Sequence, residues 1–254
     1  MTILIFLLGT IIGSFLNVCI HRIPKEESII FPGSYCPSCS TPLEWYDLVP
    51  VLSFLFLKGK CRYCGERISP RCPIVELLNG FIFVMLYSKF RFNLDFIFYT
   101  FLFSLFIIIT FIDLDYQIIP STMILFILVG SIVYKILNLM LYSIPVNFVN
   151  SLMGLGVSIL IFLIIFVVSK GGMGGGDVKL IGVLGFILGI SKIFLNIFLS
   201  FLAGGIISVL LLVFKIKGKK DPIPFGPFII LGFIITLFWG DKIINWYLVS
   251  FLLR

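Results

Sequence analysis

Two acidic residues each lie at the end of a long apolar run, where a charged side chain is costly. Asp113 ends the run in TFIDLDYQIIP (110–120), and Asp177 begins the run in GGMGGGDVKLIGVL (171–184). Ionisable groups at membrane depth are expensive and indicate function by default. Two carboxylates that meet share one proton, and such a pair can activate water and protonate a leaving amine. The pair therefore predicts peptide hydrolysis by a carboxylate dyad.

Each of these acids also has a structural interpretation. Taken alone, Asp177 fits an N-cap or first-turn acid of a helix equally well. Asp115 follows Asp113 by two positions and is interpreted as a solvated loop residue. A Ser-His or Cys-His nucleophile is not available, because the chain has a single histidine, His21. The hypothesis of a dyad depends on the two aspartates lying at the same membrane face.

Five glycines in the six residues 171–176 precede Asp177. Glycine can adopt left-handed backbone angles and lets another chain approach closely, so Gly174 and Gly176 are predicted to face the backbone of a substrate. Irregular backbone is tolerated in a membrane protein where it lines a polar cavity. A flexible loop between helices is the alternative. A phosphate-binding loop is not favoured, because GKS and GKT are absent and no strand precedes the glycines.

The first polar segment contains two CxxC pairs, CPSC (Cys36, Cys39) and CRYC (Cys61, Cys64), with 21 residues between them. This spacing is typical of a structural zinc site, in which two tight turns direct four thiolates at one point. Disulfides are the alternative, but basic flanks predict a reducing compartment where disulfides rarely persist. Cys19 and Cys72 lie outside the pattern, and His21 is interpreted as an interfacial residue at a helix end.

The composition predicts the elements that must position these residues. The chain has 254 residues, of which 60% are hydrophobic and 12% charged, and its mean hydropathy is +1.18. Soluble domains are about 45–50% apolar and about 25% charged. The runs are apolar on all sides, unlike the alternating spans of a membrane barrel. We therefore expect an all-α polytopic bundle of about eight transmembrane helices with a small, zinc-ribbon-like cytoplasmic loop.

The predicted organisation has three parts: a first transmembrane helix (1–20) retained in the chain, a tetra-cysteine loop (21–73) and a protease bundle (74–254). A polar break is expected at 113–120, and GISK at 189–192 is expected to interrupt the sixth helix. The tail from 241 is interpreted as interfacial or as the end of a span. The remaining predicted helices cover 74–90, 96–112, 121–142, 147–169, 178 to the interruption, 193–214 and 223–239.

The net charge of +7 is distributed as expected for membrane topology, not for nucleic-acid binding. Short loops rich in lysine and arginine stay in the cytoplasm and meet anionic lipid headgroups. This rule places the N-terminus outside and the cysteine loop, Asp113 and Asp177 at the cytoplasmic face. The cations that support it are Arg22, Lys25, Lys58, Lys60, Arg62, Arg67 and Arg71, then Lys170 and Lys179, then Lys215, Lys217, Lys219 and Lys220.

Several motifs resemble those of one known family. Gly174-Gly175-Gly176-Asp177 matches the GxGD motif of intramembrane aspartyl proteases. The rest of the chain resembles the prepilin peptidases, or type 4 prepilin leader peptidases, in order and over nearly its whole length. The segments that carry this resemblance are GSFLNVCIHRIP (13–24), the two CxxC pairs with RISPRCPIVELLNG (67–80), FIDLDYQIIP (111–120) and PFGPFIILG (224–232).

The resemblance implies an enzyme of the cytoplasmic membrane that removes the basic leader from type IV prepilins and pseudopilins. It also implies N-methylation of the new terminus with S-adenosylmethionine, since the cysteine loop is typical of the two-activity members. The family's catalytic pair corresponds here to Asp113 and Asp177. The sequence assigns no residues to S-adenosylmethionine and does not give the oligomeric state.

Two other classes of protein are alternatives to an enzyme. Broken glycine-rich helices with buried acids also occur in transporters and channels. That class predicts internal repeats or acids through the whole bilayer, whereas these acids cluster at one face and no convincing repeat is present. A zinc-loop membrane scaffold without turnover is the other, and it predicts that neither aspartate is required.

Overall fold

A computed structural model describes residues 1–143, 145, 147–169, 172–216, 218 and 221–252. The predicted glycine segment and basic loops include five residues outside this set, namely Lys170, Gly171, Lys217, Lys219 and Lys220. The described residues form eight α-helices: α1 (Thr2–Arg22), α2 (Leu52–Phe56), α3 (Arg71–Phe90), α4 (Leu94–Tyr116), α5 (Ser121–Tyr142), α6 (Phe148–Val168), α7 (Gly175–Val213) and α8 (Gly226–Tyr247).

Seven helices of the described chain are long and apolar enough to cross a membrane, which confirms the all-α, polytopic class. The expected eight spans correspond to these seven helices because α7 has 39 residues. A helix of that length extends about 58 Å, nearly twice the thickness of a hydrocarbon core of about 30 Å. Its helical geometry is broken at Gly189, where φ is 75° and ψ is 176°.

The break in α7 is stabilised by a side chain from α6. Ile190 donates its backbone N–H to Oδ1 of Asn150 at 3.1 Å, so Asn150 caps the helical segment that follows the break. Gly189 has a left-handed φ that favours glycine, and Asn150 packs against its Cα. The predicted interruption at 189–192 therefore lies at its first residue.

Contacts divide the chain into two compact units, Met1–Phe111 and Ile112–Arg254. In the first unit, α1 and α3 pack closely through the GxxxG pattern of Gly9 and Gly13. A Cβ built on Gly9 would lie 2.8 Å from Cα of Gly80, and one built on Gly13 would lie 2.7 Å from Cα of Glu76. Small residues at such spacing let membrane helices approach. Asn79 adds a buried hydrogen bond to the carbonyl of Gly9 at 2.7 Å.

Two buried charged side chains tie the cysteine loop to the helices of the first unit. Glu76 of α3 accepts the backbone N–H of Val51 at 2.7 Å. Arg22 of α1 donates to three backbone carbonyls of the loop at 2.8–2.9 Å, those of Ser28, Pro32 and Gly33. Buried charges require hydrogen-bonding partners, and here both side chains find them in the backbone of the loop.

In the second unit, the C-terminal part of α7 runs antiparallel to α8. Lys192 pairs with Asp241 at 2.9 Å, whereas Gly204, twelve residues later in α7, lies against Phe225 just before α8. Phe201 packs against Phe225 with ring centroids 5.1 Å apart and the ring planes tilted by 42°. These contacts hold the start of α8 against α7, and the start of α8 is where a predicted site residue is bound.

The polar break predicted at 113–120 is shorter than expected. Helix α4 continues to Tyr116, so the interpretation of Asp115 as a loop residue is wrong, although its side chain is exposed. The helix ends at Gln117, whose φ is 57° and whose N–H donates to the carbonyl of Asp113 at 2.9 Å. Left-handed residues commonly end helices, and Pro120 disfavours helical angles at the residue before it.

Candidate active site and metal centre

Asp113 lies in the last turn of α4, and its carboxylate contacts the start of α8. The side chain is buried, with 4% of its surface exposed. Its Oδ2 accepts the backbone N–H of Gly226, the first residue of α8, at 2.9 Å. The N–H groups of the first helical turn have no partner within their own helix. One of them therefore fixes one oxygen of this carboxylate.

Asp177 is the third residue of α7 and is also buried, with 6% exposed. Its Oδ2 accepts the backbone N–H of Gly174 at 3.1 Å, and its own N–H donates to the carbonyl of Gly174 at 3.1 Å. This is the first-turn arrangement that the sequence allowed as an alternative. The other oxygen differs: among the described residues, Oδ1 is buried with no hydrogen-bond partner. Buried polar atoms normally have a partner, so this oxygen is an exception that requires an explanation.

The structure brings the two aspartates together at the ends of three elements of the second unit. Asp113 and Asp177 are close enough for electrostatic interaction between their carboxylates. Ile119, in the short segment between α4 and α5, lies against Gly176, the residue before Asp177, and against Gly226, which binds Asp113. A Cβ built on Gly176 would lie 2.8 Å from Cβ of Ile119, and one built on Gly226 would lie 3.1 Å from its Cδ1. The side chain of Ile119 therefore packs between the start of α7, which carries Asp177, and the start of α8, which binds Asp113.

Asp115 is not part of this arrangement. It is exposed, and residues two apart on a helix do not face each other. It therefore points away from the side of α4 that carries Asp113.

The glycines before Asp177 have a role different from the one expected. Gly174 is extended, with φ −76° and ψ 143°, and none of the described glycines at 172–176 has a left-handed φ. The expectation of left-handed angles is therefore wrong for these residues. Gly176 lacks a side chain because Ile119 lies against its Cα, while Gly175 faces open space. The approach of a substrate to Gly174 and Gly176 stays a prediction.

The sequence predicts that Asp113 takes part in peptide hydrolysis, and on that prediction substitution of Gly226 by alanine should slow the reaction. The new Cβ would lie 2.7 Å from Oδ2 of Asp113, so the carboxylate must move and the hydrogen bond to the start of α8 must lengthen. A misplacement of about 1 Å in a catalytic group costs about 10²-fold in rate, so we expect kcat to fall by about that factor. Gly205→Ala is the control, because no atom lies within 4 Å of its new Cβ. Equal kcat values for the two variants would exclude this role of Gly226.

Two residues at the site were not predicted individually. Ile119 and Gly226 lie within FIDLDYQIIP (111–120) and PFGPFIILG (224–232), but their residue types predict no role in catalysis. An isoleucine and a glycine in apolar surroundings give no signal in one sequence. Their importance becomes visible only when the packing is known.

The four cysteines of the two CxxC pairs converge in the first unit. Their sulfur atoms all lie within 4.8 Å of one another, and Cys36 Sγ and Cys64 Sγ are 3.9 Å apart. Tetrahedral coordination with Zn–S bonds of about 2.3 Å places the sulfurs about 3.8 Å apart. The donor set and its spacing therefore fit a tetrahedral thiolate site. All six cysteines are free thiols, and Cys19, Cys72 and His21 do not belong to the cluster.

The two CxxC turns have the same backbone pattern, which explains why they converge. Residue 40 and residue 65, each four positions after the first cysteine, have left-handed φ values of 56° and 74°. Each turn is flanked by a short antiparallel bridge. The matching N–H to carbonyl bonds are Ser40 to Cys36 and Gly65 to Cys61, Cys36 to Thr41 and Cys61 to Glu66, and Leu43 to Ser34 and Ile68 to Gly59.

Hydrogen bonds in these turns favour the thiolate form of two cysteines. The side chain and then the backbone N–H of Thr41 lower the pKa of Cys39 to about 6. Backbone N–H groups of Cys64 and Tyr63 lower the pKa of Cys61. Thiolates, not thiols, bind metals. At Cys64 the lowering by the backbone N–H of Glu66 is outweighed by desolvation and the other cysteine side chains, which raise its pKa to about 12. The turns therefore favour the thiolate at Cys39 and Cys61 but not at all four cysteines.

The chain matches two described families in succession. Residues 7–90 match the bacterial peptidase A24 N-terminal domain, and residues 100–209 match the type IV leader peptidase family. Both matches together cover most of the chain. No solved structure matches it.

Curated relatives match over almost the entire chain. A prepilin leader peptidase/N-methyltransferase of Bacillus subtilis is 34% identical over 246 residues, covering 96% of this chain and 97% of the relative. A protein of the same description from Aeromonas salmonicida is 32% identical, covering 98% and 94%. One from Pseudomonas aeruginosa is 31% identical, covering 95% and 91%.

Proposed function

Because the chain belongs to the type IV leader peptidase family, we propose that it is a membrane-embedded aspartic endopeptidase that removes the leader from type IV prepilins and pseudopilins. The same enzyme methylates the new N-terminus. The observation that supports the catalytic residues best is Oδ1 of Asp177, a buried carboxylate oxygen with no partner among the described residues, beside a second buried carboxylate. A carboxylate held at one oxygen and unpaired at the other is suited to bind water or a peptide.

In this proposal Asp113 and Asp177 divide the work of general base and general acid. The ionised carboxylate takes a proton from water, and the water oxygen attacks the scissile carbonyl carbon. The protonated carboxyl gives its proton to the amide nitrogen as the C–N bond breaks. Gly226 and Gly174 hold one oxygen of each carboxylate, which leaves the other oxygens for water and peptide. Preorganised groups of this kind avoid the cost of reorientation during the reaction.

We place the site at the cytoplasmic face of the cell membrane, with the N-terminus outside. The basic residues of the cysteine loop and Lys179, two residues after Asp177, support this orientation through the rule that cationic loops stay inside. A prepilin would lie with its apolar helix in the bilayer and its cleavage point at the level of Asp113 and Asp177. A transporter, or a scaffold without turnover, is not favoured, because the relatives that cover the whole chain are described as enzymes.

The second activity requires a methyl donor, which we propose is S-adenosylmethionine. When bound, this donor would supply one methyl group to the new terminal amine, which would lose a proton in exchange. We assign no residues to the donor. The ion in the cysteine cluster is proposed to be zinc, held by Cys36, Cys39, Cys61 and Cys64. Four thiolates leave no open position, so its role is structural.

The proposed function is tested with the purified protein in lipid vesicles and a purified prepilin. We expect a shorter product whose new N-terminus, read by mass spectrometry, corresponds to loss of the leader. A prepilin that stays intact at every enzyme concentration would contradict the peptidase assignment.

Methylation is tested in the same mixture by adding S-adenosylmethionine with a labelled methyl group. Each cleaved pilin should gain one labelled methyl group, because cleavage forms a single new α-amine. Uncleaved prepilin serves as the control and should stay unlabelled. Complete cleavage without label would contradict the second activity and leave the first intact.

A further inference from the structure

Ile119 is an apolar side chain that lies between the start of α7 and the start of α8. It contacts Gly176, the residue before Asp177, and it contacts Gly226, whose N–H binds Asp113. Because both of these neighbours are glycines, neither of them places a side chain next to Ile119. The side chain of Ile119 is only partly buried. A Cβ built on Gly226 would lie 2.7 Å from Oδ2 of Asp113 and 3.1 Å from Cδ1 of Ile119, so the end of this side chain lies close to the Asp113 carboxylate.

The backbone that carries Ile119 is held on both sides. Gln117 donates its N–H to the carbonyl of Asp113 at 2.9 Å and its side-chain amide to the carbonyl of Pro222 at 3.4 Å. Pro120 follows directly and fixes its own φ. At the next residue, the hydroxyl of Ser121 accepts a hydrogen bond from Lys179 of α7 at 3.0 Å. The backbone of Ile119 is thus anchored by residues on both sides, and its side chain keeps its place next to Gly176 and Gly226.

We propose that Ile119 limits the size of the substrate residue whose carbonyl is attacked. This inference rests on the proposed peptidase function. The attacked carbonyl carbon must come within about 3–3.5 Å of the reacting oxygen, which brings the side chain of that residue to the space next to Ile119. A residue without a side chain fits there, whereas each added carbon meets the δ- and γ-carbons of the isoleucine. Ile119 is a specificity-determining residue in direct contact with the substrate.

The size of the effect follows from the volume involved. Each methylene group that a pocket accepts or rejects changes kcat/KM by about 10–200-fold. We therefore expect the wild-type protein to prefer glycine over alanine at this substrate position by a factor in that range, and over valine by more. Ile119→Ala removes the three carbon atoms beyond Cβ and should lower the ratio of glycine to alanine by at least about tenfold.

The experiment measures kcat/KM for prepilins that differ only at that residue, which is glycine, alanine or valine. The variants are Ile119→Ala and Ile119→Val, the latter removing only the δ-carbon that lies near Gly226. Ile118→Ala is the matched control, because Ile118 is the adjacent residue and is 48% exposed. We expect a graded relaxation from wild type through the valine variant to the alanine variant, with the control unchanged.

The outcomes separate this inference from the function on which it rests. If the wild type cleaves the glycine substrate and the Ile119 variants keep its glycine-to-alanine ratio, Ile119 does not determine specificity and the peptidase assignment stands. If Ile119→Ala is inactive on every substrate, the glycine-to-alanine ratio of kcat/KM measured for Ile119→Val decides whether Ile119 determines specificity. If the wild type cleaves none of the three, the proposed function fails and this inference fails with it.

Discussion

Replacement of either Asp113 or Asp177 by asparagine should lower kcat/KM for leader release by about 10²–10⁴-fold, because this is the contribution of general acid–base catalysis by one group. Two buried carboxylates that act as a unit should also be non-additive: the double variant should be no slower than the slower single variant. The measurement is cleavage of one prepilin at several substrate concentrations, with product quantified by mass spectrometry.

Asparagine is the informative replacement because it preserves the local structure. An asparagine at 177 can still accept the N–H of Gly174, and one at 113 can still accept the N–H of Gly226, so both helix starts keep their partners. Thermal unfolding in detergent should therefore differ little from wild type. Asp115→Asn is the matched control, since it makes the same change two residues along α4 on an exposed side chain. Activity of the Asp177 variant equal to that of the control would remove the dyad from the mechanism.

Local chemistry explains which helix boundaries could be read from the sequence. The predicted helix at 121–142 has the bounds observed for α5, Ser121–Tyr142, because Pro120 precedes it and polar residues follow. Helix α8 begins at Gly226 and not at 223, since Pro222 and Pro224 come before it and Pro227 lies in its first turn, where proline is favoured. It continues to Tyr247, beyond the predicted 239, because DKIINWY contains polar residues but no helix breaker.

The candidate site was predictable in its charged members and not in its packing. Aspartates at the ends of apolar runs are visible in one sequence because their cost in a membrane is large. Close approach of Ile119 to Gly176 and Gly226 depends on how three helix ends meet, and apolar residues at such ends have no distinctive pattern. The glycines illustrate the same difference. The number of glycines at 171–176 predicted left-handed backbone angles. The described glycines of this segment instead have no left-handed φ, and Gly176 makes room for the side chain of Ile119.

The cysteine cluster leads to the second large prediction, which concerns the bound metal. The wild-type protein should contain about one zinc ion per chain, held by four thiolates. Substitution of both Cys36 and Cys61 by serine should reduce this to below about 0.1 per chain, because it removes one ligand from each turn. Metal content is measured by elemental mass spectrometry after extensive dialysis. A wild-type protein without bound metal would contradict the site.

Without the expected metal the loop should also be looser, because it has almost no apolar core of its own. Between residues 26 and 70, all of which the structure describes, Cys36 and Cys61 are the only buried apolar side chains. A segment with so small a core depends on its cross-links, and structural zinc contributes about 10–16 kcal/mol to the folding of such units. Limited proteolysis between 26 and 70 should therefore be at least about tenfold faster in the double variant, since a locally open segment is cleaved in proportion to its population.

Cys72→Ser provides the control: it removes a thiol outside the cluster and should change neither zinc content nor cleavage rate. Equal proteolysis of the double variant and this control would mean that hydrogen bonds of Glu76 and Arg22, and not the metal, hold the loop.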